Sequence, residues 1–192
     1  MALAHARVSR LSLTLSSLLF VCCQVPLTIV YFAEYAMQSG VWSAVGFPPT
    51  SSSAREHFYE YANWSYQFGV FASRSSGLLW QPSLRVLWAL PLLQTVLLAF
   101  FWTDAVAELW YGPSLLVLCV AAGLAGGAIY VHGFKLLSAS QPAQTRELAC
   151  AAASVAADVG ILIGSVAGLY IQACIYDRQG IDGASVTGGF CR

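Results

Sequence analysis

The chain has 192 residues, of which 58% are hydrophobic and only 9% charged, with a mean hydropathy of +0.66. A soluble domain of this length needs more charge to cover its surface, so the composition points to lipid as the main solvent. Formal net charge is zero and the isoelectric point is about 6.8, which gives no basic footprint for nucleic acid.

A spanning helix needs roughly 20 mainly apolar residues, and the pattern predicts about five, making an all-α membrane protein. Residues 1–10 read as a cytoplasmic N-terminal segment, and the first span as about 11–37, with Pro26 as a kink. A signal peptide is the competing reading of residues 1–24, since Arg7 and Arg10 precede an apolar run. No small-residue A-x-A site follows that run, and apolar residues continue past Gln24. Residues 38–60 then read as a long loop, because Phe47-Pro48-Pro49-Thr50 cannot continue a helix.

The second span is predicted at about 61–79 and is the weakest, interrupted by Gln67 and Arg74. The third is about 84–102, the fourth about 113–137 and the fifth about 148–176, with short connections between them. Residues 177–192, rich in glycine, read as a flexible tail. With the N-terminus in the cytoplasm, Arg7, Arg10, Arg74, Arg85, Lys135 and Arg146 lie on or toward that side and Arg55, Arg178 and Arg192 lie opposite. That bias agrees with the positive-inside rule. Trp42, Trp64, Trp80, Trp102, Trp110 and Tyr176 fall near predicted ends, as an aromatic belt would.

An ionised side chain at the middle of a spanning helix costs about 2.5–3.5 kcal/mol on insertion scales, so such residues face protein or water. Glu34, Arg74 and Asp158 stand out. Gln24, Thr28, Tyr31, Tyr35 and Gln38 share one helical face bordered by Glu34; Asn63, Gln67 and Arg74 share another; Ser154, Asp158, Ser165 and Gln172 a third. Three spans thus have a wet side, and such helices suit a polar cavity. At 1.5 Å per residue, Arg74 and Asp158 come within roughly 5 Å of the midplane, where they would pair or reach one ligand. Glu34 sits about 10 Å from the middle of its span, a place for a gate or proton site near the far entrance. Substrate contacts are therefore expected from Arg74, Asp158, Gln67 and Tyr31, and proton coupling from Glu34 and Asp158. The bland alternative makes the three ions structural ties between helices.

Gly123 and Gly127, and Gly160, Gly164 and Gly168, repeat every four residues. That spacing lets helix backbones approach closely. His132 reads as a hydrogen-bonded interfacial residue. Asn63-Trp64-Ser65 matches the glycosylation pattern on the non-cytoplasmic side. The six cysteines follow no metal or disulfide spacing and mostly lie in apolar runs as small hydrophobes, although Cys174 and Cys191 are placed where one bridge is feasible. No hydrolytic or cofactor constellation appears: there is no GxSxG, HExxH, P-loop or GxGxxG after a strand. No enzyme, metal or cofactor is expected. The expected partners are the bilayer and a small anionic or zwitterionic solute.

VPLTIVYFAEY (25–35), FGVFASRSS (68–76), GLAGGAIYVHGF (123–134) and DVGILIGSVAGL (158–169) resemble, in that order, the C-terminal half of the battenin family. The resemblance implies half of a major-facilitator-like bundle in a multi-pass protein of the lysosomal, late endosomal or vacuolar membrane. It also implies links to lysosomal pH, to basic amino acids such as arginine and to glycerophosphodiesters. Glu34, Arg74 and Asp158 match polar positions of the family's motifs. There are departures. His132 stands where the family pattern leads us to expect Asn, and the chain ends Gly189-Phe190-Cys191-Arg192, which is not a prenylation box. The family is about twice this length, so a missing N-terminal half or a second copy joins the expected partners. One half of a secondary transporter is the leading expectation. A non-transporting scaffold that regulates trafficking or the vacuolar proton pump is the alternative.

Overall fold

A computed structural model describes residues 23–48, 50–79 and 83–186. Five helical segments follow one another with no strand among the described residues. α1 is described from residue 23 and passes through a π-helical turn, Met37–Val41, into the turn Trp42–Ala44. α2 is Ser52–Ser75, continued by a 3₁₀ turn at Ser76–Leu78. α3 is Leu84–Ala107, α4 Leu115–Ser140 and α5 Arg146–Gln179. The protein is an all-α membrane protein. α3, α4 and α5 are each long and apolar enough to cross a bilayer. α2 falls short of that measure among the described residues, because polar residues recur along its whole length, from Arg55 and Glu56 through Asn63 and Gln67 to Arg74.

The predicted loop at 38–60 is mostly helix. α1 runs on to Ala44, and Ser51 opens α2 by accepting a hydrogen bond from the Ala54 amide at 3.2 Å. Polar and small residues at 38–44 looked like a loop, but they are where α5 docks. Gly40 abuts the Gly168 backbone so closely that a Cβ on Gly40 would overlap it. The Gln172 amide donates to Ser43 Oγ at 2.7 Å, and the Tyr176 hydroxyl donates to the Ser43 carbonyl at 3.2 Å. Residues 52–60 are charged, yet Phe58 is buried while Glu56 and Glu60 face outward, the pattern of an amphipathic helix.

α3 also outruns its predicted end. It stops where Glu108 adopts left-handed geometry, φ 52°. The buried Asp104 carboxylate accepts from the Trp110 amide at 2.7 Å and ties down the following turn. α5 ends at Gly180, φ 64°. Residues 181–186, read as part of a free tail, fold back on the bundle: the Ser185 amide and hydroxyl donate to Gln172 Oε1, at 3.3 Å and 2.6 Å, and Ile181 and Ala184 pack on the core. Trp42 is no belt residue. It is fully buried, edge-on to Tyr66 and Phe101 with centroids 6.1 and 5.8 Å apart. Trp80 and Cys191 lie outside the described residues.

Two interhelical seams hold the bundle. α2 and α4 run parallel, with Gly123 against the Tyr66 carbonyl and Gly127 against Ser73 and Val70. α1 and α5 also run parallel: Gly160, Gly164 and Gly168 meet the backbone at Thr28 and Phe32 and the Ala36–Gly40 turn. Lipid tails are as apolar as a side chain, so close packing and hydrogen bonds, not hydrophobic expulsion, bind helices here. Thr28 Oγ1, 3.0 Å from the Ala156 carbonyl, adds such a bond across the second seam. Large apolar side chains such as Phe71, Leu92, Val117 and Leu162 face outward, as a lipid-solvated surface requires. The end of the bundle reached by α2 and α4 carries Arg74, Arg85, Lys135 and Arg146 against Glu147. The other end carries Arg55 and Arg178 against Glu56, Glu60, Asp104, Glu108, Asp177 and Asp182.

Candidate functional site

The bundle closes around one carboxyl. Glu34 projects from α1 and has no exposed surface. Tyr66 of α2 donates its hydroxyl to Glu34 Oε2 at 3.0 Å. Gln94 of α3 donates its amide to Glu34 Oε1 at 2.8 Å and to the Ala122 carbonyl of α4 at 3.2 Å. α4 contributes a gap as well: a Cβ on Gly126 would land on Glu34 Oε1. Four helices therefore meet at this group, two as donors and one by withholding a side chain. Burying a charge or polar group without partners is costly, and here both oxygens are satisfied.

Gln94 and Gly126 lie near the middles of α3 and α4. Glu34 thus stands at mid-bundle and not near the far face, because α1 continues ten residues past it to Ala44. Neither Gln94 nor Gly126 was singled out from the sequence. The signal for Gln94 was its amide inside the run LWALPLLQTVLLAFFW.

One turn before Glu34, Tyr31 is buried and its hydroxyl accepts a long hydrogen bond, 3.4 Å, from Arg74 Nη2. The Arg74 guanidinium also lies over the Tyr130 ring, 4.6 Å from its centroid, and Tyr130 meets Tyr31 edge-on. A cation over an aromatic face gains from the ring quadrupole while its donors stay free for a ligand. Arg74 opens onto a cavity of about 780 Å³, lined with it by Tyr130, Phe134, Lys135, Arg146 and Cys150 among others. The Lys135 ammonium donates to the Gly77 carbonyl. α1 thus places a sealed carboxyl and an aromatic hydroxyl one turn apart, and the hydroxyl touches the arginine of an open cavity.

The remaining expected residues lie elsewhere. Asp158 is exposed on α5, and no ion pair joins it to Arg74 among the described residues. The inner edge of α5 is taken by Ala153, Ala157, Gly160 and Gly164, which leaves Asp158 on the flank. Gln67 is exposed beside Phe68, one position past the buried stripe Tyr66, Gly69, Val70 and Ser73. His132 is buried, with Nε2 3.5 Å from Ser76 Oγ. Among the described residues no group of three His, Cys, Asp or Glu is placed to hold a metal. Cys119 and Cys150 are free thiols, whereas Cys174 is disulfide-bonded.

A family model described as "CLN3 protein" matches residues 3–177. Among curated proteins, battenin of the dog is 37% identical over 150 residues, covering 76% of this chain and 33% of the relative. The protein BTN1 of Chaetomium globosum is 35% identical over 161 residues, 80% of this chain and 34% of that one. BTN1 of Saccharomyces cerevisiae is 32% identical over 160 residues, with 77% and 38% covered. No solved structure matches. The chain spans about a third of the length of the relatives named first. With nearly its whole length matched and these identities in hand, the chain belongs to the CLN3 protein family, the family of battenin.

Proposed function

We propose that the chain is part of a proton-linked secondary transporter of the lysosomal, late endosomal or vacuolar membrane. Its cargo would be a small solute that carries an anionic group, with basic amino acids, through their carboxylate, and glycerophosphodiesters the leading classes, and its activity would support the pH of the compartment. The observation that carries this reading is the sealed carboxyl of Glu34, one helical turn from a tyrosine that touches Arg74 at the wall of an open cavity. In a transporter the substrate sits between helices near mid-membrane and rocking exposes it alternately. In this reading Arg74 binds the anionic group of the solute by charge-assisted hydrogen bonds, and Tyr31 reports its presence to α1. Glu34 exchanges a proton when the helices part. Asp158 and Gln67 join the path only where another segment or a second copy covers the outer faces of α5 and α2.

Arg74→Ala tests this in membrane vesicles from cells in which the protein replaces its endogenous relative. Uptake of labelled arginine and of a labelled glycerophosphodiester is expected to fall to background while the amount of protein is unchanged. Uptake of either at the parental rate refutes the anion site. A second reading, a non-transporting scaffold for trafficking or for the proton pump, is favoured by one observation: both Glu34 oxygens are already satisfied inside the protein. Purified protein that binds neither solute but retrieves pump or trafficking components would establish that reading instead.

A further inference from the structure

We propose that the basic cavity between α4, α5 and the end of α2 seats an anionic phospholipid, its phosphate held by Lys135 and Arg146 and its chains laid along Tyr130, Val131 and Phe134. Every charge at the wall is positive: Arg74, Lys135 and Arg146 line the cavity and no carboxylate does. Three cations share one space, an arrangement that an anion relieves. Arg74 is engaged by Tyr31 and Tyr130, and Lys135 by Gly77. Arg146 has no partner among the described residues, so its five donors are uncommitted.

The rest of the wall argues for an amphiphile. Tyr130, Val131, Phe134, Ala139 and Cys150 are mainly apolar. A small solute held at Arg74 alone would not fill this space, which leaves room beside it for an amphiphile at Lys135 and Arg146. The volume, about 780 Å³, is that of a site for a drug-sized molecule and far beyond a lone phosphate. Position agrees as well. Lys135 lies in the last turns of α4 and Arg146 is the first residue of α5, so both stand at the level where head groups lie. Basic pockets between spanning helices are a recurrent seat for phosphorylated head groups. The inference does not rest on the transport reading, since its tested residues are Lys135 and Arg146.

Cys150 provides the readout, because it is a partly exposed free thiol in the cavity wall whereas Cys23 and Cys119 are buried. The protein is placed in nanodiscs of phosphatidylcholine with increasing phosphatidylinositol 4-phosphate, and alkylation at Cys150 is followed by peptide mass spectrometry. The anionic lipid is expected to slow alkylation severalfold and saturably, whereas inorganic phosphate at millimolar concentration leaves the rate unchanged. Each cation near an anionic lipid is worth about a fivefold change in affinity, so Arg146→Gln should raise the half-saturating lipid fraction about fivefold. Lys135→Gln with Arg146→Gln should abolish protection. Arg85→Gln, at the same end of the bundle but outside the cavity wall, should leave it intact. Among the described residues Arg146 has no internal bond to lose, so the effect of Arg146→Gln is read as loss of the lipid contact. A Cys150 rate indifferent to anionic lipid, or protection that survives the double substitution, overturns the proposal. Equal protection by inorganic phosphate overturns the lipid assignment in favour of a soluble anion.

Discussion

Gly126→Ala is the sharpest probe of the Glu34 junction. The added methyl carbon would occupy the place of Glu34 Oε1. That oxygen is the far end of a flexible side chain, but its freedom is spent. Gln94 holds it at 2.8 Å, Tyr66 holds the other oxygen at 3.0 Å, and no exposed surface remains to retreat to. Overpacking typically costs about 1–3 kcal/mol. Displacing the carboxyl from one hydrogen bond leaves a buried polar group unsatisfied and adds about 1–3 kcal/mol. Replacing glycine by alanine in a helix returns about 1 kcal/mol. The balance is a loss of about 1–5 kcal/mol, or a fall of roughly 2–20 °C in the unfolding midpoint for a chain of this size. Gly133 supplies the control on the same helix. A Cβ there meets nothing within 4 Å, so Gly133→Ala should be neutral or gain up to about 1 kcal/mol. The assay is thermal unfolding of both variants in the same detergent or bicelle, followed by tryptophan fluorescence. If Gly126→Ala proves as stable as Gly133→Ala, Glu34 does not lie against Gly126 and the junction is wrong.

Tyr66→Phe removes one donor from Glu34 without changing shape, and should cost about 1–3 kcal/mol in the same assay. Ser43→Ala deprives the buried Gln172 amide of its acceptor and should cost about 1–3 kcal/mol, with faster proteolysis after residue 180 because Gln172 also anchors Ser185. Tyr130→Phe keeps an aromatic face under Arg74 and should preserve solute affinity, whereas Tyr130→Leu should weaken it by about 0.5–2 kcal/mol in equilibrium binding. Gly164→Leu drives a branched side chain into the Phe32 backbone and should part α1 from α5, seen as loss of a disulfide cross-link engineered across that seam.

Much of this arrangement is written in local pattern. The predicted stretches are helical where they are described, and the glycines at spacing four become the two seams, because both features depend on neighbours within one or two turns. What was not legible depends on partners distant in the chain. The stretch 38–44 looks like a loop until α5 is present to accept Gly40 and Ser43. Trp42 reads as an interfacial anchor until Tyr66 and Phe101 close around it. Gln94 and Gly126 gain meaning only from Glu34, which reaches them from α1. Arg74 and Asp158 share a predicted depth but not a face, and helical phase within one span does not say which neighbour that face will meet.

The most direct test of the account is solute accumulation driven by an imposed pH gradient in vesicles carrying Glu34→Gln. The substitution keeps the shape of the side chain within the Tyr66–Gln94 cluster but removes its titratable proton. We expect exchange of solute to continue and accumulation to stop following the gradient. Accumulation that tracks the gradient as it does in the parent would show that Glu34 carries no proton in the cycle.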